Sequence, residues 1–209
     1  MKALSQFALL VLLSISMMSC DKEQEISTSD HDTSDNILYK VKVQDGKANI
    51  EGIAVEPAEE KQLSDRAQNH SANGHFTIQS GSSLSFSAME NNGGVHGQSH
   101  FNGAGNLIKA HFDSDCIVVV GNQAYFGGEI TQWEVVEGTL PEEWGLGWSI
   151  YFAVEDNGEG NNSDPDELGD NFFVAPPDDP PACDAVYNAY EAFNIPFNPG
   201  YPPTHVQVK

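Results

Sequence analysis

Basic side chains are scarce in this 209-residue chain: nine lysines and arginines stand against 31 aspartates and glutamates, a formal net charge of −22. Between Lys109 and Lys209 there is none. A surface of that sign repels phosphate backbones, which argues against nucleic-acid binding. It also repels anionic headgroups, so membrane attachment needs something other than a basic patch. Motifs for common chemistry are missing too: there is no GxSxG, no P-loop and no dinucleotide fingerprint. The apolar run centred on Ala8 to Leu13 is shorter than the roughly 20 residues that span a bilayer.

That run has another reading. Lys2, an apolar stretch and then small residues before Cys20 make residues 1–19 a signal peptide, outside any folded domain. Ser19-Cys20 directly after the apolar segment resembles the lipobox of bacterial lipoproteins, with Met17 departing from the usual leucine. The resemblance implies that Cys20 is acylated and becomes the mature N-terminus. Two or more acyl chains anchor stably where one does not. Residues 20–36 are uniformly hydrophilic and cannot bury a core, which fits a disordered tether. Lysine and acids just behind the cysteine resemble the surface-export signal of Bacteroidetes lipoproteins, so the expected location is the outer membrane or cell surface, lipid-anchored and extracytoplasmic.

With Cys20 assigned to lipid, two of the three cysteines remain, Cys116 and Cys183, and an even remainder in an oxidising compartment predicts a disulfide.

Turns punctuate the rest. Residues 37–72 read as a β-hairpin turning at Asp45-Gly46, followed by a short helix or linker after Pro57. From residue 73 to 209 short alternating segments take over. Phe76 and Ile78 share a face, as do Leu84, Phe86 and Ala88, and Trp148, Ile150, Phe152 and Val154. LIKAHF and CIVVV read as successive strands. Gly121-Asn122 predicts a tight hairpin that sets Ile117 and Val119 opposite Phe126 and Ala124. The segment from Ala175 to Pro203 reads as a proline-rich strap with a helical turn around Ala185–Ala192, and THVQVK as a final strand. The expected fold is all-β, an antiparallel sandwich or small barrel.

GNQAYFGGEI, VEDNGEG, PDEL, a cysteine and a terminal VQVK together resemble a group of secreted bacterial β domains of uncharacterised function. The likeness spans about residues 74 to 209; such domains are often appended to larger surface proteins, which implies a module rather than an enzyme.

The stretch from Glu155 to Asp170 holds seven carboxylates and no base. Calcium takes six to eight oxygens, which makes Asp156, Glu159, Asp164 and Asp166 candidate ligands, with a solvated loop as the alternative. The spacing is not that of an EF-hand, since Leu168 falls on a ligand position and Ala175 on the twelfth. His96 and His100, four apart, lie too far apart on a strand for one ion, whereas His111 and His75 could approach one of them across a sheet to hold zinc or nickel, with hydrogen-bonded or exposed histidines as the alternative. His111, Ser114 and Asp115 are sequence neighbours without triad geometry. Trp133 and Trp144, read as lying in a loop, are candidates for stacking on a glycan or peptide. The expected function is a non-catalytic binding or adhesion module that requires no cofactor, with calcium as an optional stabiliser and an unknown protein or glycan partner. The rival readings are a polysaccharide hydrolase with its acids in the 155–170 loop and a small barrel carrying an apolar ligand.

Overall fold

Alternation with a period of two settles the buried side of a strand whose other face meets solvent. In the computed structural model, Leu84, Phe86 and Ala88 point inward from one strand while Ser83, Ser85 and Ser87 point outward. The structure describes residues 36–44, 47–55, 69–78, 82–91, 94–103, 107–158, 163–178, 180–202 and 204–209. Cys20 and the tether, the Asp45-Gly46 turn, the segment expected to be helical after Pro57, and Glu159 lie outside these residues.

The described strands are β1 (Asn36–Gln44), β2 (Lys47–Val55), β3 (Ser71–Thr77), β4 (Ser83–Asn91), β5 (Gly94–His96), β6 (Gln98–Gly103) and β7 (Ile108–Val120). They continue as β8 (Gln123–Val135), β9 (Ser149–Glu155), β10 (Glu167–Gly169) and β11 (Phe172–Ala175), then β12 (Phe197–Pro199) and β13 (His205–Val208). A helix, α1 (Cys183–Phe193), precedes β12. The sheet runs β13-β3-β4-β6-β7-β8-β9-β11-β1-β2, with β10 between β9 and β12, and β5 against β4. Its pairings are antiparallel. The protein is all-β. Its sheet does not close into a barrel, so the barrel alternative gives way to an open sheet folded over itself, as in a sandwich.

The hairpin of β1 and β2 pairs from Asn36↔Val55 to Gln44↔Lys47, and β1 joins β11, so it extends the same sheet. Ile117 and Val119 do face Phe126 and Ala124, and Gly121 takes the left-handed φ of 64° that suits a tight hairpin. LIKAHF and CIVVV, expected as two strands, are one continuous β7. Irregularities at His111/Phe112 and Ser114/Cys116 let a 13-residue strand bend without breaking. Gly128 makes the second one possible, because a Cβ there would sit 1.8 Å from the Asp113 carbonyl oxygen.

Two apolar layers result. Inside the fold, Phe86 stacks on Phe126 at 4.7 Å between ring centres and Phe101 meets Phe152 at 5.0 Å. On the outside of β9 and β11, Tyr151, Ala153 and Phe173 are covered by Ala185, Val186, Ala189 and Tyr190 of α1. β9 and β11 are therefore apolar on both faces. The helix ends in a Schellman arrangement: Asn194 is left-handed at φ 47°, its amide donates to Glu191, and the Ile195 amide reaches back to Tyr190 at 3.0 Å. Cys183 at the start of α1 is bridged to Cys116 on β7, Cα to Cα 5.7 Å, across 67 residues of chain. Burial pushes the hydroxyls of Tyr125, Tyr151 and Tyr190 above their ordinary range. Tyr151 and Tyr190 donate to the carbonyls of Pro181 and Asn171.

Candidate functional site

The acidic stretch lies where β9 ends and β10 begins, and the folded sheet brings its far edge, β13, against this rim. A terminal strand shows every second amide to the outside. On β13 these are the amides of Val206 and Val208, and each meets a carboxylate. Val206 donates to Asp166 Oδ2 at 2.8 Å and Val208 to Asp156 Oδ2 at 3.0 Å. The second oxygens hold the loop itself: Asp166 Oδ1 accepts from the Asn157 amide at 3.0 Å, and Asp156 Oδ1 from the Gly158 amide at 2.8 Å. Two aspartates thus seal, with side chains, a seam that the backbone ladder leaves open.

The other acids of the loop are distributed similarly. Glu155 accepts from the side-chain amides of Asn122 and Gln123, at 3.2 and 2.9 Å. Asp170 is paired with Lys42, 128 residues away on β1, and accepts from Asn198 at 2.9 Å. Glu167 stands opposite Glu155 in the β9/β10 register. Its carboxyl is held above the ordinary range by loss of water, then by Glu155 and by Asp164. Of the expected calcium ligands, Asp156 and Asp166 serve as acceptors for backbone amides, and Asp164 is exposed. Among the described residues, no three His, Cys, Asp or Glu side chains are grouped to hold an ion.

The histidines gather elsewhere. Registers align His205, His75, Ser85, His100, His111 and Gln132 as one row across β13, β3, β4, β6, β7 and β8. His75 bonds Ser85 Oγ at 2.7 Å and Thr77 Oγ1 at 3.2 Å through its two ring nitrogens. His100 and His111 have ring centres 3.8 Å apart with their planes tilted by 31°. His96 is separate, on β5 opposite Met89. Ser114 is buried and donates to the Ser87 carbonyl at 3.1 Å, so it does not assemble with His111 and Asp115.

No family model, curated protein or solved structure matches this chain. The site must therefore be read from its own geometry.

The tryptophan expectation needs correcting. Trp133 lies on β8, not in a loop, and packs half-buried against the core. Trp144 is only 5 % exposed, 5.3 Å from Tyr39 and 5.5 Å from Trp148 between ring centres, so its faces are taken by its own chain. The loop-like glycines and glutamates around them hid a strand that runs on to Val135.

Sequence reasoning missed the seam and the Lys42–Asp170 pair; it expected His111 and His75 to approach another histidine across the sheet, and His111 does pair with His100, while Ser85 stands between His75 and His100. Asp156-Asn157-Gly158 did carry a legible signal, an aspartate bonding the amide two residues on. The rest needed contacts between residues far apart in sequence.

Proposed function

We propose that the chain is a lipid-anchored extracytoplasmic module without catalytic activity, whose outer sheet face binds a neutral, hydroxyl-rich partner, a glycan. One observation carries this reading. The protein bears a net charge of −22, yet the outward positions of β13, β3, β4 and β6 hold no aspartate, glutamate, lysine or arginine among the described residues. Asn73, Ser85 and Gln98 represent what stands there: amides and hydroxyls, with the imidazoles between them and the exposed Met89 as an apolar exception. Such groups donate and accept hydrogen bonds as sugar hydroxyls do. These four strands, free of charged outward positions up to Lys109 and Asp113 on β7, do not repel a neutral chain and offer little to an ionic one.

The rival readings draw less support. A hydrolase in the 155–170 loop would need free carboxyls, and those of Asp156 and Asp166 are engaged by backbone amides. A carrier of apolar ligands would need interior space where phenylalanines stack on one another. The anchor at Cys20 and the surface location rest on the N-terminal sequence.

A glycan array probed with the untagged mature protein tests the binding claim. Binding should be insensitive to salt, because no charge pair is involved, and should be lost in Asn73→Ala/Gln98→Ala. Binding that falls steeply with salt, or survives those substitutions, overturns it. Radiolabelled fatty acid incorporated by wild type but not by Cys20→Ser tests the anchor.

A further inference from the structure

We propose that His100 and His111 bind a divalent transition-metal ion, copper(II) foremost, on the outer face of the sheet. The two residues are direct partners on β6 and β7, within a ladder running unbroken from Gln98↔Asp113 to Gly103↔Ile108. Their ring centres are 3.8 Å apart. Two metal–nitrogen bonds of about 2.0–2.1 Å place cis donor nitrogens roughly 3 Å apart, a spacing of the same order as the 3.8 Å between these ring centres, and binding would turn the two side chains so that their nitrogens converge. The strand ladder fixes the backbones beforehand, so little ordering remains to be done on binding. Imidazole suits copper, nickel and zinc, and copper(II) heads the affinity order of divalent ions.

The surroundings agree with a cation. Asp113 follows two residues after His111 on the same side of β7 and is held by Gln98 Nε2 at 3.2 Å. Gln132 stands opposite His111 on β8. His75 is two strands from His100, its nitrogens occupied by Ser85 and Thr77, so it bounds the site without joining it. With no third His, Cys, Asp or Glu grouped with the pair among the described residues, water fills the remaining positions. That leaves an open site, and the chain's negative charge concentrates cations around it.

Untagged mature protein titrated with copper(II) chloride, followed by calorimetry and by electron paramagnetic resonance, tests the proposal. The expected result is one ion with a two-nitrogen hyperfine pattern. His100→Ala and His111→Ala should each weaken binding at least about 10-fold, while His96→Ala leaves it unchanged. Absence of binding, an all-oxygen spectrum, or unchanged affinity in the His100→Ala/His111→Ala double variant overturns it. An all-oxygen spectrum would assign the ion to the acidic rim. If an alanine variant does not fold, the wild-type spectrum decides. Glycan binding and copper binding are read separately, so failure of one leaves the other standing.

Discussion

Replacing Asp166 with alanine removes the acceptor for two backbone amides at once, those of Asn157 at 3.0 Å and Val206 at 2.8 Å. A hydrogen bond to a charged group contributes about 1.5–3 kcal/mol when buried. Both bonds here are partly buried, so the lower end of that range applies and the loss should be about 2–4 kcal/mol. For a domain of this size each kcal/mol moves the midpoint by about 2–4 °C, so Tm should fall by about 4–16 °C. Asp156→Ala leaves the amides of Val208 and Gly158 without their acceptor, but the Gly158 bond is exposed, and about 1–2 kcal/mol is expected. Asp166→Asn keeps one acceptor oxygen and should fall between wild type and alanine. Hydrogen exchange localises the effect. The Val206 amide should lose protection in Asp166→Ala while the Lys209 amide, bonded to Ser71 on β3 at 2.8 Å, keeps it. A Tm within about 1 °C of wild type with Val206 still protected would refute the seam.

Further tests follow from the same geometry. Calcium should leave Tm unchanged if the loop carboxylates serve only backbone amides; a rise abolished by Asp164→Ala/Asp166→Ala would restore the ion-binding reading. Removing the Cys116–Cys183 bridge with serines should cost about 4 kcal/mol in the chain-entropy model for a 67-residue separation, read by urea denaturation. Glu167 holds its proton more tightly when folded, so its contribution favours the folded state at acid pH and is lost as pH rises from its ordinary 4.5 through the raised value. Glu167→Gln should therefore be more stable than wild type at neutral pH, with the gap closing towards pH 4.5 in thermal melts. Gly128→Ala drives a methyl into the Asp113 carbonyl and should lower Tm by several degrees, about 1–3 kcal/mol of overpacking; an unchanged Tm would mean that the β7 bulge can relax.

Local features carried much of the architecture. The alternation of Leu84, Phe86 and Ala88 was enough to place the inner face of β4, whereas for Ile150, Phe152 and Val154 it gave the face towards the main core and not the burial of Tyr151 and Ala153 under α1. Gly121-Asn122 fixed a register over four named residues, since a two-residue turn leaves no slack. The polar Asp113-Ser114-Asp115 hid the continuity of β7 and Gly127-Gly128 the length of β8, where bulges carry the strand through residues that read as breaks.

Composition told that the loop from Glu155 to Asp170 is acidic; it could not tell what the acids do. That depended on which chain segment the folded sheet delivers to the rim: β13 brings the amides of Val206 and Val208, and β1 brings Lys42. The histidines show the same division. Their spacing along a strand kept His96 apart from His100, while strand order put His111, and not His75, directly beside His100. Alternation is a property of neighbours along the chain and can be read from them. The company a side chain keeps across a sheet is set by pairings far apart in sequence, and the sequence reading could not supply those.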